Sequence, residues 1–469
     1  MSAVGLATVI REGRVSAVEA VDNALERIAA IDGELKAFIT VDVDGARRAA
    51  RVTDQRRLAG EELGPLNGVP FSVKDLLDTV GVRTTYGSRS LADNVPEVDV
   101  AAVARLRAAG AILIGKTATP EFAASMPTRS ALNGITRNPW NRNHSPGGSS
   151  GGAGAAVAAG IGPLAVSTDG GGSARIPAAA CGVLGLKPTL GRIPHETWPF
   201  HFSNNSSVSL NARAVEDLAV MLRVMSGPHP LDPWSRRPGP PLADWQTIVQ
   251  ETSERPAGRV LFIAHPAGLT ADREVLASVE VTLAEIESAG YVVDRTETDP
   301  TEFDTATIGQ VLAPNLVARA RRLSPAQQSL LEEPLRSLVA GDRYRPDAVG
   351  LQEANLARSG LYERVEQLLG HYDLIVSPTV LAEPPLAEGN QVIVDGDEVP
   401  LLNWWGHLAV ANMTGHPALS VPSGFTAAGL PVGIHAVGQW DGEEALLRFA
   451  NTIAKARPWQ HLWPPSHGG

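Results

Sequence analysis

The sequence predicts an α/β protein whose sheet carries parallel strands. Three observations predict it. The apolar run Arg259–Ala264, the helical pattern Asp272–Ala289 and the apolar run Tyr291–Asp294 follow one another, and a strand, helix and strand in that order make the two strands parallel. Short apolar runs of β type recur between helical segments elsewhere in the chain. The 469 residues are 43% hydrophobic and 19% charged, enough apolar material for one large core.

The elements follow in order. Residues 4 to 30 read as helix, with Ser16 and Glu19 spaced as a capping box and Val18, Val21, Ala24, Leu25 and Ile28 on one apolar face. The turn cluster Gly64–Pro70 precedes the alternating run Phe71–Asp75, a short strand that delivers Lys74 at its end. Residues 98 to 109 read as helix and Ala111–Ile114 as a buried strand. Val215–Ser226 is an amphipathic helix closed by Gly227 and Pro228, and the proline-rich passage His229–Pro241 is a surface loop. Residues 300 to 370 are mostly helical, and Tyr372–Pro378 is a strand. A helix near Leu408–Met413, strands Ala418–Pro422 and Pro431–Val437, and a helix Glu443–Ala456 complete the series.

Composition excludes several classes. A net charge of −11 argues against a general nucleic-acid binder, which carries a basic face. A single cysteine, Cys181, rules out an internal disulfide and disfavours a cysteine-based metal site. The first twenty residues lack the pattern of a signal peptide, and no apolar stretch has the length of a membrane span. The expected location is the cytoplasm.

The chemistry concentrates between Gly147 and Lys187. One cluster is Gly147-Gly148-Ser149-Ser150-Gly151-Gly152 and a second is Asp169-Gly170-Gly171-Gly172-Ser173-Ala174-Arg175. Glycine allows positive φ and close backbone approach, so each cluster can present serine hydroxyls and free N–H groups, the parts of a nucleophile and an oxyanion hole. Two other motif readings fail. Gly110–Thr117 matches the phosphate-loop pattern, but its four intervening residues are apolar and serve better as a strand. Gly147–Gly151 matches G-x-S-x-G, but the polar, turn-rich residues before it cannot form the buried strand of a nucleophile elbow. A reading that joins both clusters with Lys74 survives. The N–H groups of Gly170 to Ser173 would face one oxygen, aided by the positive end of the helix that follows. A lysine buried away from water loses its charge and becomes a base, with a second serine carrying the proton. Glycine–serine clusters are commonly mere turns; two of them, set in apolar helix and strand patterns and flanked by Asp169 and Arg175, are hard to explain so.

These residues resemble the amidase signature family. The likeness rests on the GGSSGG cluster, the TDGGGSARIP run, Gly182–Thr189, Gly68–Asp75, Ala109–Phe122, Asn138-Pro139-Trp140, Asn412–Ala418 and Gly429–Gly433. The resemblance implies a single domain with a central mixed sheet covered by helices on both faces. Residues 1–62 would form an N-terminal helical segment, 63–226 the catalytic core, and 227–469 the part that completes sheet and pocket. It implies a Ser–cis-Ser–Lys triad: Ser173 as nucleophile, Ser149 as bridging serine and Lys74 as base. Gly170, Gly171, Gly172 and Ser173 would supply the oxyanion hole, with Ser150, Thr168, Asp169 and Arg175 in support. Gly170, Ala174 and His435 depart from the family's usual residues. The implied activity is hydrolysis of a carboxamide-type C–N bond (amide, anilide or carbamate, with esters open to the same attack), without metal or cofactor. The implied partner is a small amide or carbamate, with no nucleic acid and no membrane, and a homodimer is a family-level expectation. Trp198, Phe200 and Phe202 are candidates for an aromatic substrate pocket, with Trp404 and Trp405 as further candidates; for each, plain packing is an equal reading. The alternative is the A subunit of a glutamyl-tRNA amidotransferase, a member of the same family that works in a complex. A non-catalytic binding protein is disfavoured because all three triad positions are filled.

Overall fold

The computed structural model describes all residues except 197–199, 238, 251–257, 334, 342–345 and 466–469. Eleven strands make one mixed sheet: β1 (Phe38–Val41), β2 (Pro70–Lys74), β3 (Ile112–Thr117), β4 (Leu164–Asp169), β5 (Leu184–Lys187), β6 (Ser207–Ala212), β7 (Gly258–Ile263), β8 (Tyr291–Thr296), β9 (Leu374–Pro378), β10 (Ala418–Phe425) and β11 (Pro431–Gly438). Their order across the sheet is β1-β3-β2-β4-β6-β5-β10-β11-β9-β7-β8. β2 runs parallel to both β3 and β4. The pair expected from the β-α-β pattern, β7 and β8, is parallel. The central strands β4, β6, β5, β10, β11 and β9 pair antiparallel.

The sheet is covered on both faces. Along β3, Leu113 joins one apolar cluster while Ile112 and Ile114 join another. Along β7, Val260 and Phe262 join the first, and Leu261 and Ile263 a third. That alternation is what a strand buried on both sides requires. One face packs under the helices Val215–Met225, Arg273–Ser288 and Glu443–Ala456. The other carries the helices Ala17–Leu35 and Gly151–Ala158, and farther along Ala306–Ala320 and Ala348–Leu369.

Several elements differ from the sequence reading. The segment 4 to 30 is two helices, Ala3–Arg11 and Ala17–Leu35. Gly13, at φ +72°, ends the first, and Ser16 with Glu19 starts the second through a complete capping box. Strand β1, the helix Val43–Leu58 and strand β6 had no clear sequence signal. The helix buries only Ala46, Ala50 and Thr53, so its apolar face is too narrow to read as a period. A hairpin, Gln391–Val394 with Asp397–Pro400, turns on Asp395 and Gly396, both at positive φ; this Asp-Gly pair is a hairpin signal that the reading overlooked. The proline-rich passage holds one short 3₁₀ turn, Pro233–Arg236.

The helix Gly151–Ala158 lies against the sheet through its first turn, where the Gly152 N–H donates to Ala118 O at 3.2 Å. A Cβ on Gly152 would collide with the backbone N of Ala118 and the carbonyl O of Ala37. Gly152→Ala is therefore expected to destabilise the fold by about 1–3 kcal/mol, the cost of overpacking. The check is the midpoint of urea unfolding, which should fall at unchanged slope; an unchanged midpoint would mean that the contact is slack.

Candidate active site

Parallel pairing of β2 and β4 brings the carboxyl ends of both strands to one edge, the place where open α/β sheets hold ligands. β2 ends on Lys74, and β4 ends on Thr168 and Asp169. The first glycine–serine cluster turns above them into the helix Gly151–Ala158. Its Gly148–Ser149 peptide bond is cis.

Lys74 is fully buried. Its Nζ lies 2.8 Å from Ser149 Oγ, 2.8 Å from Ser150 Oγ and 3.0 Å from Thr168 Oγ1. Burial disfavours the ammonium and lowers its pKa to about 7, against a smaller opposing pull from Asp169. The hydroxyls then divide. Ser150 Oγ donates to Thr168 O at 3.1 Å, so its proton is committed and it accepts from Lys74. Ser149 has no such acceptor among the described residues, which leaves its proton free to point at a neutral Nζ. Ser150 also ties the two clusters, since its N–H donates to Ser173 O at 3.1 Å.

The second cluster is shaped by Asp169. Its carboxylate accepts from the N–H groups of Gly172 (2.7 Å), Ala174 (3.1 Å) and Arg175 (3.4 Å). It also accepts from Arg175 Nε at 3.0 Å and Nη2 at 2.9 Å. Both side chains are fully buried. Burial alone would raise the carboxyl pKa; the guanidinium and the N–H donors outweigh it and hold the group well below the usual carboxylate range. All five guanidinium N–H groups find acceptors, the others being Leu408 O, His435 Nε2 and Asn412 Oδ1. His435, a departure from the family pattern, thus serves as a neutral acceptor, its pKa lowered well below the ordinary value by burial and the adjacent guanidinium.

This geometry corrects one expectation. The Gly172 N–H is committed to Asp169, so it is not a free donor as the oxyanion-hole expectation required. The N–H groups of Gly170, Gly171 and Ser173 have no protein partner among the described residues. Gly172 stays essential for another reason: it sits at φ +118°, and a Cβ there would lie 3.0 Å from both Ile176 and Leu408. At Gly170 a Cβ would meet nothing closer than 3.7 Å, so its glycine widens the cavity instead of relieving strain.

Ser149, Thr168, Gly170, Gly171 and Ser173 line one cavity of about 190 Å³. Its outer wall is Leu77, Tyr86, Phe122, Leu312, Arg319 and Trp405, among others. Of the aromatic candidates, Trp405 lines it. Trp404 is fully buried and donates Nε1–H to Ala382 O at 2.8 Å. Phe200 and Phe202 are 49% and 65% exposed and do not line it; an aromatic pair in a surface turn has no core behind it to pack on. Trp198 lies outside the described residues. The wall residues missed by the sequence reading left one signal, the i, i+4, i+7 spacing of Leu312, Leu316 and Arg319 on one helix face.

The rejected phosphate-loop residues behave as a strand. Lys116, within β3, is fully buried and donates to Leu77 O, to Thr79 Oγ1 at 2.7 Å and to Thr84 Oγ1 at 2.9 Å.

Comparison with known proteins agrees with this architecture. The family model described as Amidase matches residues 19–447. An acylamidase of Rhodococcus erythropolis is 33% identical over 86% of this chain and 84% of its own. The A subunit of the glutamyl-tRNA(Gln) amidotransferase of Roseiflexus sp. (strain RS-1) is 48% identical, but the match covers 48% of this chain and 46% of the relative, so the chain spans about half of that protein's length. Among solved structures, a bacterial aryl acylamidase superposes with a TM-score of 0.91 at 25% identity, covering 100% of this chain and 99% of the other. The peptide amidase of Stenotrophomonas maltophilia superposes at 0.80 with 26% identity, covering 97% and 96%. With a family match across nearly the whole chain and the mixed eleven-stranded sheet beneath it, the protein belongs to the amidase signature family.

Proposed function

We propose that the protein hydrolyses carboxamide-type C–N bonds through an acyl-enzyme on Ser173. The observation that carries this reading is the buried Lys74, held 2.8 Å from Ser149 Oγ with a pKa of about 7. Ser173 Oγ attacks the carbonyl carbon. Its proton moves to Ser149 Oγ as the Ser149 proton moves to neutral Lys74 Nζ. The oxyanion accepts from the N–H groups of Gly170, Gly171 and Ser173, an interaction worth about 3–4 kcal/mol per donor. The C–N bond then breaks, and the leaving amine takes the proton back along the same path. Water attacks the ester carbonyl and delivers a proton to Lys74 through Ser149; the bond from the carbonyl carbon to Ser173 Oγ then breaks, the proton returns through Ser149 to Ser173 Oγ, and the acid is released with Lys74 neutral again. Amides, anilides, carbamates and esters all present the attacked carbonyl. The acylamidase relatives support an amide or anilide substrate.

The higher local identity to amidotransferase A subunits favours a second reading, in which the chain releases ammonia from glutamine within a complex. Purified chain assayed alone separates the two: glutaminase activity that appears only with added partner subunits would favour the second.

The first test is intact mass after a serine-directed fluorophosphonate. A single adduct is expected on the wild type and none on Ser173→Ala; an equal adduct on both would move the nucleophile elsewhere. The pH dependence follows from Lys74. The base must be neutral, and its folded pKa lies below the ordinary lysine value, so the active form predominates above about pH 7. The expected kcat/KM falls about tenfold per pH unit below that point and levels off above it. A profile flat between pH 5 and pH 8 (roughly the range spanning the expected pKa) would remove Lys74 as the base.

A further inference from the structure

The helix Ala306–Ala320 runs along the cavity, and Leu312, Asn315, Leu316 and Arg319 all face it. Among the described residues the Arg319 side chain makes no hydrogen bond and no ion pair; its guanidinium carbon stands 6.0 Å from the Tyr86 ring centroid. Two carboxylates share the cavity, and each is held through one oxygen by another group; Asp78 also acts on Arg319 through its charge, and Glu196 Oε2 is buried without a hydrogen-bond partner among the described residues. Asp78 Oδ1 accepts from the Tyr86 hydroxyl at 2.8 Å. Glu196 Oε1 accepts from the Ala101 N–H at 2.7 Å and lies 3.4 Å from His229. Arg319 is the one lysine or arginine among the described residues lining the cavity. Asn315, one turn earlier on the same face, likewise has no hydrogen-bond partner for its side chain among them. A guanidinium and a carboxamide stacked one turn apart match a planar oxygen group, and an unpaired guanidinium matches a carboxylate best.

We propose that Arg319, assisted by Asn315, determines specificity by binding a carboxylate on the substrate, remote from the bond that is cleaved. This rests on the hydrolytic reading of the Ser173 site and names its substrate class: amides that carry a distant carboxylate. The helix also sets the spacer. Leu312 abuts the oxyanion loop, since a Cβ on Gly171 would lie 3.9 Å from its Cδ1. Arg319 follows two turns later, roughly 10 Å along the axis, and a long side chain leans back by about one turn. The carboxylate therefore sits roughly 5–10 Å from the loop, the reach of about two to three extended residues.

The test uses two series of amides, with the carboxylate on the acyl part (succinyl, adipyl, suberyl and sebacyl p-nitroanilides) or on the amine part. Each is paired with a neutral analogue of equal length. The quantity read is the ratio of kcat/KM for acid over neutral. For the wild type it should exceed one and peak at a single spacer length. Arg319→Gln should lower it roughly 10- to 100-fold, the loss of a charge-assisted pair, and Arg319→Lys should restore part of it. A ratio of one or below at every length in the wild type, or one that survives Arg319→Gln, overturns the proposal. Calorimetry on Ser173→Ala reads the same contact without turnover. Acid binding that depends on Arg319, beside no hydrolysis of any amide, would fail the hydrolytic reading and keep the carboxylate site. Hydrolysis of neutral amides with no acid preference, or no binding and no hydrolysis at all, would fail the carboxylate site.

Discussion

The Asp169–Arg175 pair is the constraint on which the rest of the site depends. A carboxylate and a guanidinium have left water together, and each costs several kcal/mol to desolvate. That cost is offset only because their hydrogen-bonding capacity is filled: Asp169 by three backbone N–H groups and the guanidinium, Arg175 by five acceptors. The glycine loop takes its shape from that requirement. By drawing in the N–H groups of Gly172 and Ala174, the carboxylate leaves those of the cavity-lining Gly170, Gly171 and Ser173 without a protein partner among the described residues.

Lys74 shows the opposite use of burial. No carboxylate bonds to it, and its neighbours are three hydroxyls. Asp169 opposes the fall in its pKa only at a distance. Two basic side chains in one small region thus differ in their partners: Arg175 is paired with a buried carboxylate, and Lys74, bonded to none, lies close to neutrality. Lys116 and Lys187, also fully buried, have pKa values lowered by the same desolvation to about 8 and about 7, and among the described residues neither hydrogen-bonds a serine. Burial alone makes a weakly charged lysine; what sets Lys74 apart is the Ser149 hydroxyl 2.8 Å from its Nζ.

What could be read in the sequence follows from how local each determinant is. The capping box at Ser16, the strand ending at Lys74, the β-α-β unit at 259–294 and the glycine–serine clusters are written in contiguous residues, and they occur where expected. The second glycine cluster was legible as a loop, but not which of its N–H groups remain without a protein partner, because that depends on which ones Asp169 captures. The pocket was the least legible part. Its wall comes from Tyr86, Phe122, Arg319 and Trp405, separated by up to hundreds of residues, whereas the aromatic run at 198–202 looked like a wall only because its rings are adjacent in sequence. A polar helix such as Val43–Leu58 is invisible for a related reason, since three small buried residues leave no period.

The sheet order carries a consequence for biosynthesis. Strand β5, which follows the second glycine cluster, pairs on one side with β10, from the last quarter of the chain. Three of the acceptors around Arg175, on Leu408, Asn412 and His435, belong to the same late region. A ribosome that has released residues 1 to 226 has exposed the lysine, both serines and the glycine loop, yet the guanidinium at their centre still lacks those partners. Roughly two hundred more residues must emerge before those partners are available, some ten to forty seconds at ordinary elongation rates. The Arg175 guanidinium therefore gains its full set of acceptors only after translation has passed His435.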